Sequence, residues 1–256
     1  MPDAWGYHPE SAKGVILSSR FLESFPEKTV FLVDVDDTLF DNDCFERDLK
    51  TCLLRLFGPD GVVEYWTILE EIRSSSGFAD FLGAAQIFRL KKDQSPMTQE
   101  LAFFFRDYPF SRNLYPGAID VLRYLKRLGQ TVILSDGDAI FQPIKIDHSG
   151  IRREVDSHVL IFIHKERMLP KIEGLYPADH YVMVDDKLRI LSEMKSIWKD
   201  QLTSVFVRQG HYANDPAITA RYPKPDVTID RIVDLLDLLP SELGGTIKKG
   251  ESNEIR

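Results

Sequence analysis

TVFLVDVDDTL (residues 29–39) sets five strand-forming residues directly against three carboxylates, Asp34, Asp36 and Asp37. The run Thr29–Val33 is apolar on every position but the first and follows Pro26, which is the pattern of a strand buried on both faces of a parallel sheet. The carboxylates that follow repel one another. A pair of unit charges ~4 Å apart costs about 1 kcal/mol in water and several times more in a partly dry site. Such a cluster at the end of a buried strand calls for a cation to neutralise it.

Further along, apolar runs recur at 131–135 (TVILS), 158–163 (HVLIFI), 180–184 (HYVMV), 203–207 (TSVFV) and 226–229 (DVTI). Amphipathic segments alternate with them: AIDVLRYLKRLG ending at Gly129, a helix over about 139–149, LRILSEMKSIW, and RIVDLLDLL. Strands alternating with helices imply an α/β fold, a Rossmannoid parallel sheet with helices on both faces. Such sheets bind ligands beyond the carboxyl ends of their strands. Three further strand ends carry polar residues: Ser135-Asp136-Gly137-Asp138, His164-Lys165 and Asp185-Asp186. Carboxylates converging with waters in octahedral array suit Mg²⁺. A lysine and a serine beside them complete a plausible phosphate site. Asp136 and Asp138 are read as residues at the start of the next helix or as supports, not as direct metal ligands.

Between the first two strands the pattern is helical. DLKTCLLRLFG, VVEYWTILEEIR, GFADFLGAAQIFRL and TQELAFFFRDY read as four short helices, the first stopped by Gly58-Pro59. The chain thus divides into a core of residues 1–44 and 113–256 and an inserted all-helical cap over 45–112. The tail, 241–256, reads as disordered.

The ordered set of motifs resembles the haloacid-dehalogenase-like superfamily. FLVDVDDTL (31–39) is similar to its first motif, VILS (132–135) to the second and VMVDD (182–186) to the fourth, while Lys165 stands for the third, with Lys171 of Pro170-Lys171 as the competing candidate. The resemblance covers most of the chain, and the helical insert sits where the family carries its C1 cap. It implies that Asp34 attacks phosphorus, that Asp36 moves the proton of the leaving oxygen, and that Ser135 and Lys165 hold the transferring group. Mg²⁺ would be held by Asp34, the backbone carbonyl of Asp36 and a fourth-motif acid. Aligned on the family's hydrophobic-Gly-Asp form this acid is Asp186, in preference to Asp185, which stands in place of the Gly. Dehalogenases of the family lack an acid at the position of Asp36, so the resemblance points to a phosphatase acting on a small phosphorylated metabolite. A phosphomutase, a phosphonatase and an inactive binding protein are the alternatives.

Composition narrows the rest. With 32 Lys and Arg against 40 Asp and Glu the formal net charge is -8, which disfavours nucleic acid as a partner. Cys44 and Cys52 read as reduced thiols, the start of the chain lacks the pattern of a signal peptide, and no stretch suits a membrane helix, so a cytoplasmic protein is expected. Lys145 reads as a surface lysine, Lys91-Lys92 as a solvated helix end, Phe103-Phe104-Phe105 as cap core, and Arg73-Ser74-Ser75-Ser76-Gly77 as an interhelical turn.

Overall fold

The computed structural model describes residues 23–24 and 28–247. Six strands form one parallel sheet: β1 Thr29–Val33, β2 Gln130–Asp136, β3 Val159–Phe162, β4 His180–Asp185, β5 Leu202–Val207 and β6 Val227–Ile229. Their spatial order is β3-β2-β1-β4-β5-β6. The chain therefore builds outward from β1 on one side and then returns to build outward on the other. The crevice at that reversal, above the ends of β1, β2 and β4, is where such sheets place their ligands.

Alternation along each strand divides the core in two. Phe31, Val33, Ile133, Val182, Val184 and Val205 face one layer, which holds Val121, Leu122 and Leu125 of α4 (Ala118–Leu128). Val30, Leu32, Val132, Leu134 and Met183 face the other, against Leu169 and Ile172 of α7 (Leu169–Leu175) and Leu191, Met194 and Trp198 of α8 (Leu188–Trp198). Both faces are covered, so β1 must be apolar on every inward position, and the polar residues are displaced to its end.

The insert between β1 and β2 comprises α1 (Asn42–Ser76), α2 (Phe81–Lys91) and α3 (Met97–Asp107). Asp41 caps α1 by accepting from the Cys44 amide at 2.6 Å. The expected stop at Gly58-Pro59 is a kink instead: Gly58 leaves helical geometry at φ 71, and the helix resumes immediately. Pro59 lacks an N–H and has a fixed φ, which suits the first turn of the resumed helix. The insert does not pack as a separate core. Phe45 of α1 is fully buried, with ring centroids of Tyr108, Phe81 and Phe141 at 5.0, 5.2 and 5.4 Å. Phe141 opens α5 (Phe141–His148), the helix that follows β2 and precedes the short α6 (Ile151–Glu154), so the aromatic cluster joins the insert to the sheet layer. Phe105 shares this cluster, whereas Phe103 is exposed.

Two other differences have physical causes. RIVDLLDLL forms a 3-10 turn, Ile232–Asp237, in which Ile232 and Leu235 meet the core three residues apart; Pro240 holds the residue before it, Leu239, extended. The tail is ordered as far as residue 247. Leu243 is buried, and Thr246–Ile247 pairs antiparallel with Glu23–Ser24. The remainder of the expected disordered tail, 248–256, lies outside the described residues, as does the start of the chain. Both cysteines are free. Among the described residues no helix is long and apolar enough to cross a membrane.

Phe45→Ala should cost about 3–5 kcal/mol, the range for truncating a fully buried aromatic. Thermal melting should show this as a single cooperative transition shifted downward. Two separated transitions would mean that the insert has a core of its own.

Candidate active site

Register brings the strand ends level. Val33 pairs with Ile133 on one side and with Val184 on the other, and the Asp34 amide donates to the Val184 carbonyl at 3.0 Å. Asp34 thus emerges between the end of β2, which carries Ser135, and the end of β4, which carries Asp185. Beyond it the chain turns back sharply, with the Val35 carbonyl accepting from Leu39 and Phe40, both at 2.9 Å. Asp37 adopts a left-handed φ of 59, and a Cβ on Gly210 would sit 2.4 Å from the Asp37 Cβ. Gly210 is itself at φ +70, so both backbone and space require glycine there.

Asp34 is 4 % exposed, and its Oδ1 accepts from the Lys165 Nζ at 2.5 Å. Lys165 begins the 3-10 turn Lys165–Arg167 after β3, following His164 at a φ of 60. Its amide donates to Asp136 Oδ1 at 2.8 Å, and its ammonium also reaches the Leu134 carbonyl at 3.1 Å and Asp185 Oδ2 at 2.7 Å. Asp136 therefore anchors the lysine turn, while Asp138 caps α5 by accepting from the Ile140 and Phe141 amides. Lys171 is exposed, so the competing candidate lies outside this network. The Glu166 next to Lys165 is also buried, and Arg189 Nη1 of α8 donates to it at 2.9 Å.

Asp185 is committed twice: its Oδ2 pairs with Lys165, and its Oδ1 accepts from the Lys187 amide at 2.8 Å. Asp186 differs. It is 1 % exposed, and both its carboxylate oxygens lack a hydrogen-bond partner, as does Asp34 Oδ2. One oxygen each from Asp34, Asp185 and Asp186 lies within 4.8 Å of the others. Buried carboxylate oxygens without donors are rare and costly. The bare oxygens of Asp34 and Asp186, with an Asp185 oxygen close beside them, fit a hard divalent cation. Asp36 does not turn its side chain toward that cluster. Its Oδ1 lies 2.6 Å from the Lys145 Nζ, and its Oδ2 accepts from Gln142 Nε2 at 3.2 Å. Gln142 also donates to Ser135 Oγ at 2.9 Å.

Electrostatics follows from this burial. Desolvation lifts the Asp34 carboxyl from 3.8 to about 6, against the pull of Lys165. Asp186 is pushed well above the carboxylate range, first by burial, with Asp185 and Asp34 adding to it against the pull of Lys187. Burial likewise carries Asp37 to about 7. Lys165 and Lys187 are desolvated too, but the surrounding aspartates more than offset this and hold both ammonium groups above the ordinary lysine value.

A cavity of about 430 Å³ opens over these groups. Asp36, Asp186, Lys187 and Gln142 line it from the sheet side, and Glu46, Arg73 and Phe78 line it from the insert. The Arg73–Gly77 stretch, expected to be an ordinary turn, thus reaches the site: Gly77 ends α1 at φ 86, and a Cβ there would lie 2.8 Å from the His164 ring. Lys145, expected at the surface, is 1 % exposed. The sequence alone does not mark Gln142 and Lys187 as site residues. The spacing of Gln142 and Lys145 on a helix directly after Ser135 was the available signal, since residues three apart share a face.

The fold as a whole matches solved structures of one family. A haloacid-dehalogenase-like hydrolase from Burkholderia xenovorans is 49% identical with a TM-score of 0.80, covering 85% of this chain and 99% of that one. This chain belongs to the haloacid-dehalogenase-like hydrolases. At the level of fold alone it is also similar to a haloacid-dehalogenase-like hydrolase from Xanthomonas campestris (TM-score 0.60, 13% identity, covering 86% of this chain and 95% of that one). The L-2-haloacid dehalogenase from Xanthobacter autotrophicus is similar in the same sense (TM-score 0.54, 17% identity, 82% and 98%). No protein-family model and no curated protein matches the chain.

The raised carboxyls carry a sign. Between about pH 4 and pH 7 the folded, metal-free chain binds more protons at Asp34, Asp37 and Asp186 than the unfolded chain does, so these groups lower stability as pH rises. The raised lysines add stability that is lost only above their unfolded value of 10.5, outside this window. His180, lowered by burial, works the other way across the same window but is one group against three carboxyls, so the metal-free protein should melt at a lower temperature at about pH 8 than at about pH 5.5. Asp186→Asn should raise the melting temperature at the higher pH and flatten that slope. A divalent cation should raise the melting temperature of the wild type and leave the variant almost unmoved.

Proposed function

We propose that this hydrolase is a magnesium-dependent phosphatase that cleaves a small phosphomonoester through an aspartyl-phosphate on Asp34. The observation that carries the reading is the pair of acids two residues apart with opposite surroundings. Asp34 is dry and held by Lys165, while Asp36 stands at the cavity wall with Gln142 and Lys145. Nucleophile and proton carrier need that division of labour.

In the first half-reaction an Asp34 carboxylate oxygen bonds to phosphorus as the bond to the leaving oxygen breaks. The electron pair goes to that oxygen, which takes a proton from Asp36. In the second, water bonds to phosphorus, the bond from phosphorus to the Asp34 oxygen breaks with its electron pair returning to the carboxylate, and Asp36 receives the water proton. Lys165 offsets negative charge on Asp34 and on the transferring group, and the Ser135 hydroxyl at the end of β2 can donate to a phosphoryl oxygen. Mg²⁺, held by Asp34, the Asp36 carbonyl and Asp186, with Asp185 beside them, would supply neutralisation of the phosphoryl charge. The unpartnered oxygens of Asp34 and Asp186 support such an ion, and a similar fold from Bacillus subtilis was solved bound to magnesium. An acid at position 36 favours an oxygen leaving group, which needs a proton, over a halide, which does not. The size of the cavity and the insert over it support a small metabolite as substrate.

Phosphate release from a panel of small phosphoesters and an aryl phosphate should require Mg²⁺ and stop with a chelator. Asp34→Asn should lower kcat by at least about a thousandfold, as loss of a covalent nucleophile does. Halide release from 2-haloacids without phosphate release, or phosphatase activity that survives Asp34→Asn, would overturn the reading.

A further inference from the structure

Lys145 is the most deeply buried lysine beside Lys165 among the described residues, and the chemistry above does not use it. It is 1 % exposed, and its ammonium lies 5.2 Å from the ring centre of Phe40 and 5.6 Å from that of Phe141. Its Nζ donates to Asp36 Oδ1 at 2.6 Å and to Asn42 Oδ1 at 3.1 Å. A buried ammonium costs several kcal/mol in desolvation and persists only with good partners. Aromatic faces contribute part of that compensation, and the two oxygen acceptors contribute the rest. The partners come from distant places in the chain: Asp36 from the turn after β1, and Asn42 from the first residue of α1. One turn earlier on the same face of α5, Gln142 is 3 % exposed and donates to both Ser135 Oγ and Asp36 Oδ2. Each oxygen of Asp36 is thus bound by a different side chain of one helix.

We propose that Lys145 is a positioning residue, which with Gln142 holds the Asp36 carboxyl at the one orientation that meets the leaving oxygen. This rests on the reading of Asp36 as the group that moves the leaving-group proton. Lys145 does not touch substrate in this account. It acts through Asp36, and its bond to Asn42 ties that orientation to the root of the helical insert.

Kinetics on a series of phosphomonoesters, from acidic phenols to alkyl alcohols, tests this. A weakly acidic alcohol depends on the proton most. Asp36→Asn should therefore lose far more on alkyl than on aryl esters. Lys145→Met should follow the same trend, with losses of roughly tenfold on the most acidic phenol and roughly a hundredfold on alkyl esters, within the range of one general acid. The loss should fall on kcat more than on KM. Lys145→Arg, which keeps the donor, should recover part of it. Asn42→Ala should show a weaker form of the trend, and it carries the test if Lys145→Met fails to fold. A steep dependence in Asp36→Asn with a uniform loss in the Lys145 and Asn42 variants would overturn the positioning role alone. A uniform loss in Asp36→Asn would overturn the acid reading and this inference with it.

Discussion

Asp34 is almost sealed from water, and its carboxylate is held against the Lys165 ammonium; much of the surrounding architecture keeps that pair dry and in register. A charged pair in such a place gains from Coulomb attraction only if desolvation is offset by further bonds. Lys165 finds them at the Leu134 carbonyl and at Asp185, and its backbone is fixed by Asp136. Asp34 has a bond on one oxygen only. That asymmetry leaves the other oxygen, together with those of Asp186, as an unmet demand for positive charge. Stability and chemistry pull in opposite directions here, as is common at functional sites.

The parallel sheet makes the arrangement possible. Because β1 lies between β2 and β4, three neighbouring strand ends deliver a serine and two acids to one crevice, and the turn after β3 adds the lysine. Apolar residues fill both faces of β1, so the charges can emerge only at its end. The insert completes the enclosure from above. Its aromatic contact runs through Phe45 and Phe141, and Phe141 opens the helix that carries Gln142 and Lys145. Packing of the insert and orientation of Asp36 therefore share one element.

Much of this was legible in the sequence because it is local. Six apolar runs bounded by turn residues mark the six strands, and the acids at their ends stand adjacent in the chain to the residues that bury them. What is not local was harder to read. Lys145 reads as a surface lysine because its two acceptors are more than a hundred residues away and two of its aromatic neighbours, Phe40 and Phe45, are about as distant. Alignment on the fourth motif favours Asp186 over Asp185 as a ligand but does not show what Asp185 does; in the structure Asp185 is paired with Lys165 and Asp186 is bare. Gly58-Pro59 has the signature of a stop, yet the pair permits a kink when tertiary packing supports helix on both sides. The order of residues 241–247 depends on a buried Leu243 and on pairing with the far end of the chain, which composition does not reveal.

The central claim is that Asp34 itself carries the transferred group. The most direct measurement is rapid acid quench during turnover of a phosphomonoester labelled on phosphorus, followed by peptide mapping of the protein. The account predicts an acid-stable, hydroxylamine-sensitive acyl phosphate on the peptide that contains Asp34, formed and discharged at rates that match turnover. Turnover without labelled protein at any quench time, or label on another residue, would contradict it.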